Sequence, residues 1–155
     1  MDAINVLNPY CKGVSSMLLQ KVMVVGSGMM GSGIAQVSAQ AGRNVLLIDI
    51  SEHALNRAKK NIAWSVGKLV EKGTIQDSQD AVMGRIQTSI HVEDGQDADL
   101  VIEAVFEKLE LKVEVFQKVD RLCKVKTLIA SNTSSIPITN LAAETKRPEQ
   151  VLGLH

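Results

Sequence analysis

A glycine triplet directly after an apolar segment constrains this chain more than any other feature. Residues 22–25 run into Gly26, Gly28 and Gly31 with the spacing G-x-G-x-x-G, and a stretch of small residues with helical character follows. Eighteen residues past Gly31, a second apolar segment ends in Asp49. A strand, a tight turn, a helix, a second strand and an acidic residue in this order form the dinucleotide-binding fingerprint.

Each part of the fingerprint has its own physical task. The three glycines allow, in order, the tight turn, the close approach of backbone to a pyrophosphate, and tight packing of the helix on the strand. The helix that begins at Met29 and Met30 directs free N–H groups and its positive dipole end at the phosphates. Asp49 is predicted to accept hydrogen bonds from ribose hydroxyls, and its charge would repel a 2′-phosphate. The pattern therefore predicts NAD rather than NADP as the cofactor.

The rest of the chain alternates between strand and helix character. The predicted strands are residues 21–25, 44–49, 86–90, 100–104, 127–130 and 151–154. The predicted helices are residues 29–41, 52–71 with Ser51 as the cap, 78–83, 109–123 and a short one at Pro137. This alternation predicts an α/β fold, a Rossmann-type doubly wound and mostly parallel sheet with helices on both faces. Right-handed crossovers give the strand order 3-2-1-4-5-6.

Composition limits the remaining possibilities. We predict one domain over residues 21–155, after an N-terminal extension over residues 1–20 that is poorly ordered. Lys plus Arg equals Asp plus Glu at 17 each, which argues against a nucleic-acid partner. No apolar run reaches the roughly 18 residues of a membrane span. Cys11 and Cys123 lack disulfide or metal spacing, which indicates a reducing compartment and no metal site.

Two helices carry apolar residues at steps of three and four, and each pattern predicts one buried face. These residues are Leu55, Ala58, Ile62, Val66 and Leu69 in one helix, and Leu109, Val113, Phe116, Val119 and Cys123 in the other. Trp64 is expected to pack in the interior rather than to bind a ligand. Lys72 belongs by default to a solvated helix face.

Ligands bind at the carboxyl ends of the strands in such a sheet, and this rule selects the residues that could perform chemistry. Glu103, Glu107 and Lys108 follow the fourth strand, the polar loop 131–135 follows the fifth, and His155 follows the sixth. A dehydrogenase needs a base for the hydroxyl proton, and imidazole suits that task near neutral pH. The alternatives are a histidine without a catalytic role and a serine-rich loop that only caps a helix.

Four segments of the chain match one known family in a single register. They are VVGSGMMGSGIA at 24–35, VIEAVFE at 101–107, ASNTSS at 130–135 and GLH at 153–155. Together they resemble L-3-hydroxyacyl-CoA dehydrogenases, including 3-hydroxybutyryl-CoA dehydrogenases, over residues 21–155. The combination of S-N-T-S-S with G-L-H is the specific part, because the glycine motif alone is widely shared.

The resemblance implies an NAD-dependent enzyme that oxidises the 3-hydroxyl of an acyl-CoA to a 3-ketone, in fatty-acid β-oxidation or butyrate-type metabolism. It implies that His155 is the catalytic base and that Ser134 hydrogen-bonds the substrate's 3-oxygen. Asn132 would help to organise the site beside the cofactor. Glu107 and Lys112 would contact the cofactor.

The resemblance also implies how the acyl-CoA and a partner subunit are bound. Ser65 and Lys72 would contact coenzyme A, and their seven-residue spacing puts them on one helix face. A lysine there could meet the phosphates of coenzyme A. The family continues past its histidine into a helical domain that orients the histidine and forms a homodimer. We therefore expect little or no activity from this chain alone. The expected location is cytoplasmic, with the mitochondrial matrix as the alternative.

Three other readings stay open at this point. A stand-alone dinucleotide-sensing regulatory module, like those attached to ion channels, has a similar glycine motif, but the loop 131–135 and His155 argue against it. A dehydrogenase similar to the 6-phosphogluconate or hydroxyisobutyrate enzymes often prefers NADP, and Asp49 followed by Ile50 and Ser51 speaks against that. A structural role, like that of the lens crystallin related to the family, is the third.

Overall fold

The computed structural model describes residues 19–155, so nearly all of the predicted N-terminal extension lies outside the described residues. Six strands form one sheet. They are β1 (Lys21–Val25), β2 (Asn44–Ile48), β3 (Ile86–Ser89), β4 (Leu100–Glu103), β5 (Leu128–Ser131) and β6 (Val151–Gly153). Their order is β3-β2-β1-β4-β5-β6, and every neighbouring pair is parallel. The predicted doubly wound fold and strand order are confirmed.

The helices lie close to their predicted positions. They are α1 (Met29–Gln40), α2 (Glu52–Glu71), α3 (Gln79–Gly84), α4 (Leu109–Leu122) and α5 (Ile138–Ala142), with 3-10 turns at Val92–Gly95 and Pro148–Gln150. The cap predicted for α2 is present, because the Ser51 hydroxyl accepts a hydrogen bond from the Ala54 N–H at 3.2 Å. The same helix ends before Gly73, whose φ of 65° only glycine adopts without strain. Among the described helices, none is long and apolar enough to cross a lipid bilayer.

Successive residues of β1 point to opposite faces of the sheet, and each face has its own core. Val22 and Val24 belong to the cluster that packs under α1 and α2, whereas Met23 and Val25 belong to the cluster under α4. Because both faces are buried, the strands read as continuous apolar runs rather than as alternating ones. From β1 the chain adds β2 and β3 on one side of the sheet, and it then crosses back to place β4 on the other side of β1. The carboxyl ends of β1 and β4 therefore flank the point where the strand order reverses, which is the switch point of the sheet.

Three predictions about burial need correction. Leu69 of α2 is only half-buried, because the last turn of this helix runs past the edge of the core. Leu109 is 41% exposed, because it opens α4 before the helix reaches the sheet. Trp64 is 70% exposed, because it lies two positions from both Ile62 and Val66 and so faces away from the buried stripe of α2.

Candidate functional site

The glycine-rich turn joins β1 to α1 at the carboxyl edge of the sheet. Gly26 has a φ of 105°, and a Cβ there would lie 2.5 Å from the Ala104 carbonyl oxygen. A Cβ on Gly31 would lie 1.8 Å from the Gly26 carbonyl oxygen. The protein's own backbone therefore excludes side chains at both positions. At Gly28 a Cβ would meet nothing within 4 Å, so the space over this residue is open to a ligand.

The first turn of α1 is free to receive an anion. Its N-cap is Gly28, which has no side chain to cap the helix, and no acidic residue stands in the first turn. Met29 and Met30 are both exposed beside this end. Uncapped N–H groups and the positive end of the helix dipole suit a pyrophosphate. The turn thus has the shape and the electrostatics that the dinucleotide fingerprint predicts.

Asp49 follows β2 directly and is tied to the glycine-rich turn. Its Oδ2 accepts hydrogen bonds from the Ser27 N–H at 2.9 Å and the Ser27 hydroxyl at 2.7 Å, and its Oδ1 accepts from the Ser51 N–H at 3.1 Å. Partial burial raises the pKa of Asp49, but the hydrogen bonds from Ser27 and Ser51 outweigh it and hold this pKa below its ordinary value. The carboxylate is ionised and oriented, and the sequence had not indicated Ser27 as the residue that orients it.

A second group of residues meets between β4, α4 and the loop after β5. The Glu107 carboxylate accepts hydrogen bonds from the Thr133 hydroxyl and, at 2.7 Å, from the Ser135 hydroxyl. Lys112 Nζ lies 3.1 Å from Glu107 Oε2. The hydroxyls of Thr133 and Ser135, together with Lys112, lower the pKa of Glu107 to about 2. Glu107 therefore stays ionised at neutral pH and holds the loop against the start of α4.

Lys112 lies beneath this surface rather than on it. Its side chain is only 1% exposed, and its Nζ donates to Glu103 Oε1 at 2.8 Å and to the Val105 carbonyl oxygen at 3.4 Å. It is on the inward face of α4, one turn before the buried Phe116. Its link to the surface runs through Glu107. The direct cofactor contact expected for Lys112 therefore stays a prediction, and the geometry favours an indirect role.

The strand register brings His155 to the loop that follows β5. The Leu154 N–H donates to the Ser131 carbonyl oxygen at 2.9 Å, so His155 follows at the same edge of the sheet. Asn132 is half-buried and donates its backbone N–H to the Glu103 carbonyl oxygen at 2.9 Å, while Ser134 is exposed. The polar loop and the histidine are thus neighbours, on the opposite side of the switch point from Asp49.

A cleft of about 470 Å³ lies between the first turns of α1 and the outer face of α2. Ser65 lines this cleft, but Lys72 lies beyond it as the exposed C-cap of α2. The sequence did not indicate Arg57, Asn61 and Trp64, which also line the cleft from α2. These three residues are spaced four and three positions apart, so they lie on one face of α2 together with Ser65. That spacing is the signal that could have identified them from the sequence.

The described residues contain no group of three or more His, Cys, Asp or Glu side chains arranged to hold a metal ion. The site is therefore built from backbone N–H groups, hydroxyls, carboxylates and one imidazole. Such groups can bind a dinucleotide, hydrogen-bond a substrate oxygen and accept a proton.

Comparison with known proteins gives a consistent picture. The family described as "3-hydroxyacyl-CoA dehydrogenase, NAD binding domain" matches residues 21–155. The chain is 44% identical over 135 residues to a protein of Deinococcus radiodurans named "Probable 3-hydroxybutyryl-CoA dehydrogenase", covering 87% of this chain and 49% of that protein. It is 39% identical to the mitochondrial hydroxyacyl-coenzyme A dehydrogenase of Rattus norvegicus, covering 89% and 46% respectively.

Solved structures agree with the sequence matches. The crystal structure of 3-hydroxybutyryl-CoA dehydrogenase from Escherichia coli superposes with a TM-score of 0.85 at 43% identity, covering 88% of this chain and 29% of that one. The chain spans about half the length of these two curated relatives. These matches give no support to the stand-alone regulatory module. On this evidence the chain belongs to the 3-hydroxyacyl-CoA dehydrogenase family, and residues 21–155 are its NAD-binding domain.

Proposed function

We propose that this chain supplies the cofactor half of an enzyme that oxidises the 3-hydroxyl of an acyl-CoA to a 3-ketone. The observation that carries the proposal is the arrangement of the sheet edge. An uncapped helix N-terminus and an oriented Asp49 lie on one side of the switch point, and the loop 131–135 with His155 lies on the other. This arrangement suits a dinucleotide whose reactive end meets a proton acceptor.

Each proposed role follows from the chemistry of the side chain. Bound NAD supplies the hydride acceptor for the hydrogen on carbon 3. The His155 imidazole accepts the proton of the 3-hydroxyl as the C–H and O–H bonds break and the C=O bond forms. Ser134 donates a hydrogen bond to the same oxygen, and Asn132 organises the loop beside it. Glu107 is proposed to face the nicotinamide end of the cofactor.

The cleft along α2 is the proposed site for coenzyme A. Ser65 lines it, and Lys72 stands exposed further along the same helix. Arg57 adds a second positive charge, and an exposed Trp64 offers a ring on which a nucleotide base can stack. A homodimer formed through a helical domain, and a cytoplasmic or mitochondrial-matrix location, belong to the same proposal.

The proposal is tested on the intact protein that contains this chain, by following NADH consumption with acetoacetyl-CoA across a range of pH. His155→Gln should lower turnover by about a hundred- to ten-thousand-fold, the usual contribution of a general base, while NADH affinity changes little. It should also flatten the pH limb that reports the base.

Ser134→Ala is the matched variant, because it removes a hydrogen bond and leaves the proton acceptor in place. It should lower the rate less and keep the pH limb. If Ser134→Ala removed that limb and His155→Gln kept it, the two roles would be reversed. If neither variant slowed turnover, the proposed mechanism would be wrong.

A further inference from the structure

Glu103 is a buried carboxylate that the chemistry described so far does not use. It ends β4, and its side chain is 0% exposed. Oε1 accepts hydrogen bonds from the Val105 N–H at 2.7 Å and from Lys112 Nζ at 2.8 Å, and Oε2 accepts from the Ser131 hydroxyl at 2.5 Å. One carboxylate thus joins the loop after β4, the helix α4 and the end of β5.

Two series of hydrogen bonds and ion pairs lead from Glu103 to the surface. Through Lys112 they reach Glu107, which holds the hydroxyls of the loop 131–135. Through Ser131 they reach β6, because the Ser131 carbonyl oxygen accepts the Leu154 N–H at 2.9 Å. The backbone carbonyl of Glu103 also accepts the Asn132 N–H at 2.9 Å. Lys112 and Ser131 are therefore one bond away from this side chain, and Glu107 and the backbone of Leu154 are two steps away.

We propose that Glu103 is a positioning residue, which sets the nicotinamide end of the cofactor site through Lys112 and Ser131 without touching the ligand. The inference rests on the proposed function. Its physical basis is the low exposure of Glu103 and Lys112, because a buried ion pair holds its geometry only when both charges keep their partners. Asp49 and Gly28, at the proposed adenosine end, follow β2 and β1, and the side chain of Glu103 makes no hydrogen bond to either of these described residues.

The test measures NADH and ADP-ribose binding by the full chain, in the wild type and in Glu103→Gln. ADP-ribose carries the adenosine and pyrophosphate groups but no nicotinamide. The amide keeps the shape of the side chain but loses its charge and one acceptor oxygen. We expect the Kd for NADH to rise by roughly tenfold, the effect of losing a charge-assisted hydrogen bond, while the Kd for ADP-ribose stays within about twofold. The fluorescence emission of bound NADH should also shift, since it reports the surroundings of the nicotinamide.

Two further variants keep the test decisive. Ser131→Ala removes one hydrogen-bond donor to Glu103 and leaves the ion pair with Lys112 intact. It should raise the Kd for NADH by a smaller factor than Glu103→Gln does. This variant keeps the test possible even if Glu103→Gln fails to fold. Asp77→Asn is the control, because it removes a carboxylate paired with Arg85 beside α3, remote from this edge. It should change neither Kd.

The outcomes separate the two proposals. If the wild type bound ADP-ribose but no NADH, or neither ligand, the proposed function would fail and this inference with it. If the wild type bound both, and Glu103→Gln and Ser131→Ala weakened both ligands equally or weakened neither, only the positioning role would be overturned.

Discussion

At the scale of single residues, the most consequential contact joins Ser27 to Asp49. Ser27 lies inside the glycine triplet, and both its N–H and its hydroxyl donate to one oxygen of the carboxylate. The carboxylate is thus held in place before any ligand arrives, which lowers the cost of ordering it on binding. The residue proposed to discriminate between cofactors and the turn proposed to bind phosphate are therefore joined by hydrogen bonds.

Asp49→Ala should weaken NAD binding by about 1.5–3 kcal/mol, the range for a hydrogen bond to a charged group. It should also narrow the difference in affinity between NAD and NADP, because the charge that repels a 2′-phosphate is gone. Calorimetric titration of both cofactors measures the two effects. Asp80→Ala, an exposed carboxylate in the first turn of α3, is the control and should change neither affinity. Equal binding of NAD and NADP by the wild type would contradict the role given to Asp49.

Gly28→Val should abolish NAD binding with only a modest loss of stability. The valine side chain would enter space that is open in the protein but needed by the pyrophosphate, and Gly28 has no positive φ that would strain a new side chain. Gly84→Val is a matched control, because a Cβ there also meets nothing within 4 Å and the residue ends α3. Titration and thermal unfolding of both variants test this, and normal NAD binding by Gly28→Val would mean that phosphate binds elsewhere.

At the scale of elements, a buried arginine fastens the end of α4 to the 3-10 turn before β6. Arg147 Nε donates to Asp120 Oδ1 at 2.7 Å, and its Nη2 donates to the Asp120 and Cys123 carbonyl oxygens at 2.5 and 3.3 Å. These carbonyls belong to the last turn of α4 and its C-cap, where an unpaired C=O needs a donor. The side chain therefore sets the position from which β6 enters the sheet.

Arg147→Met should lower the free energy of unfolding by about 3–5 kcal/mol, because Asp120 would remain buried without its partner. Lys118→Met is the comparison. It breaks the exposed ion pair with Glu93, whose atoms lie 3.0 Å apart, and should cost far less stability, because solvent screens an exposed pair. Urea unfolding of the two variants gives the difference directly. Similar losses for both would show that the buried pair contributes no more than a surface one.

The contact between Glu107 and the loop after β5 should make stability depend on pH in a defined window. The pKa of Glu107 is lowered from an ordinary 4.5 to about 2 in the folded protein. The contact therefore stabilises the fold fully at pH values above 4.5, and this stabilisation is lost as the pH falls towards 2. Glu107→Gln should therefore lose more stability relative to wild type near pH 7 than near pH 3. Urea unfolding at both pH values tests the sign, and a gap of the same size at both would contradict it.

At the scale of the whole molecule, the proposed cofactor site and the proposed coenzyme A site are neighbouring surfaces. The carboxyl edge carries the glycine-rich turn, Asp49 and His155, whereas the cleft lies between α1 and α2. Both surfaces share the glycine-rich turn, because Gly28 and Met29 also line the cleft.

This chain alone should bind NADH but reduce acetoacetyl-CoA at a negligible rate. It spans about half the length of these curated relatives, and we expect the group that orients the proposed base to come from the other half. Titration and a turnover assay on the same preparation test the two parts separately, with the intact protein as the positive control. Robust turnover by the chain alone would contradict this expectation.

The sequence by itself determined the fold class, the strand order, the glycine-rich turn and the caps of α2. Each depends on a local pattern: a glycine spacing, a hydrophobic period, or a serine beside the first helical turn. Leu69 and Leu109 departed from the predicted burial, because periodicity does not say where a helix overhangs its sheet.

Only the tertiary structure decided what meets at the sheet edge. Ser131 bonds to Glu103 across 28 residues of chain, and Arg147 to Asp120 across 27. Lys112 was expected to contact the cofactor, and its side chain is buried beside the carboxylates of Glu103 and Glu107. Such contacts join elements that are neighbours in space but distant in sequence, so no local pattern encodes them. The parallel order of β1, β4, β5 and β6 brings these groups together. Each buried charge is then stable only beside its oppositely charged partner.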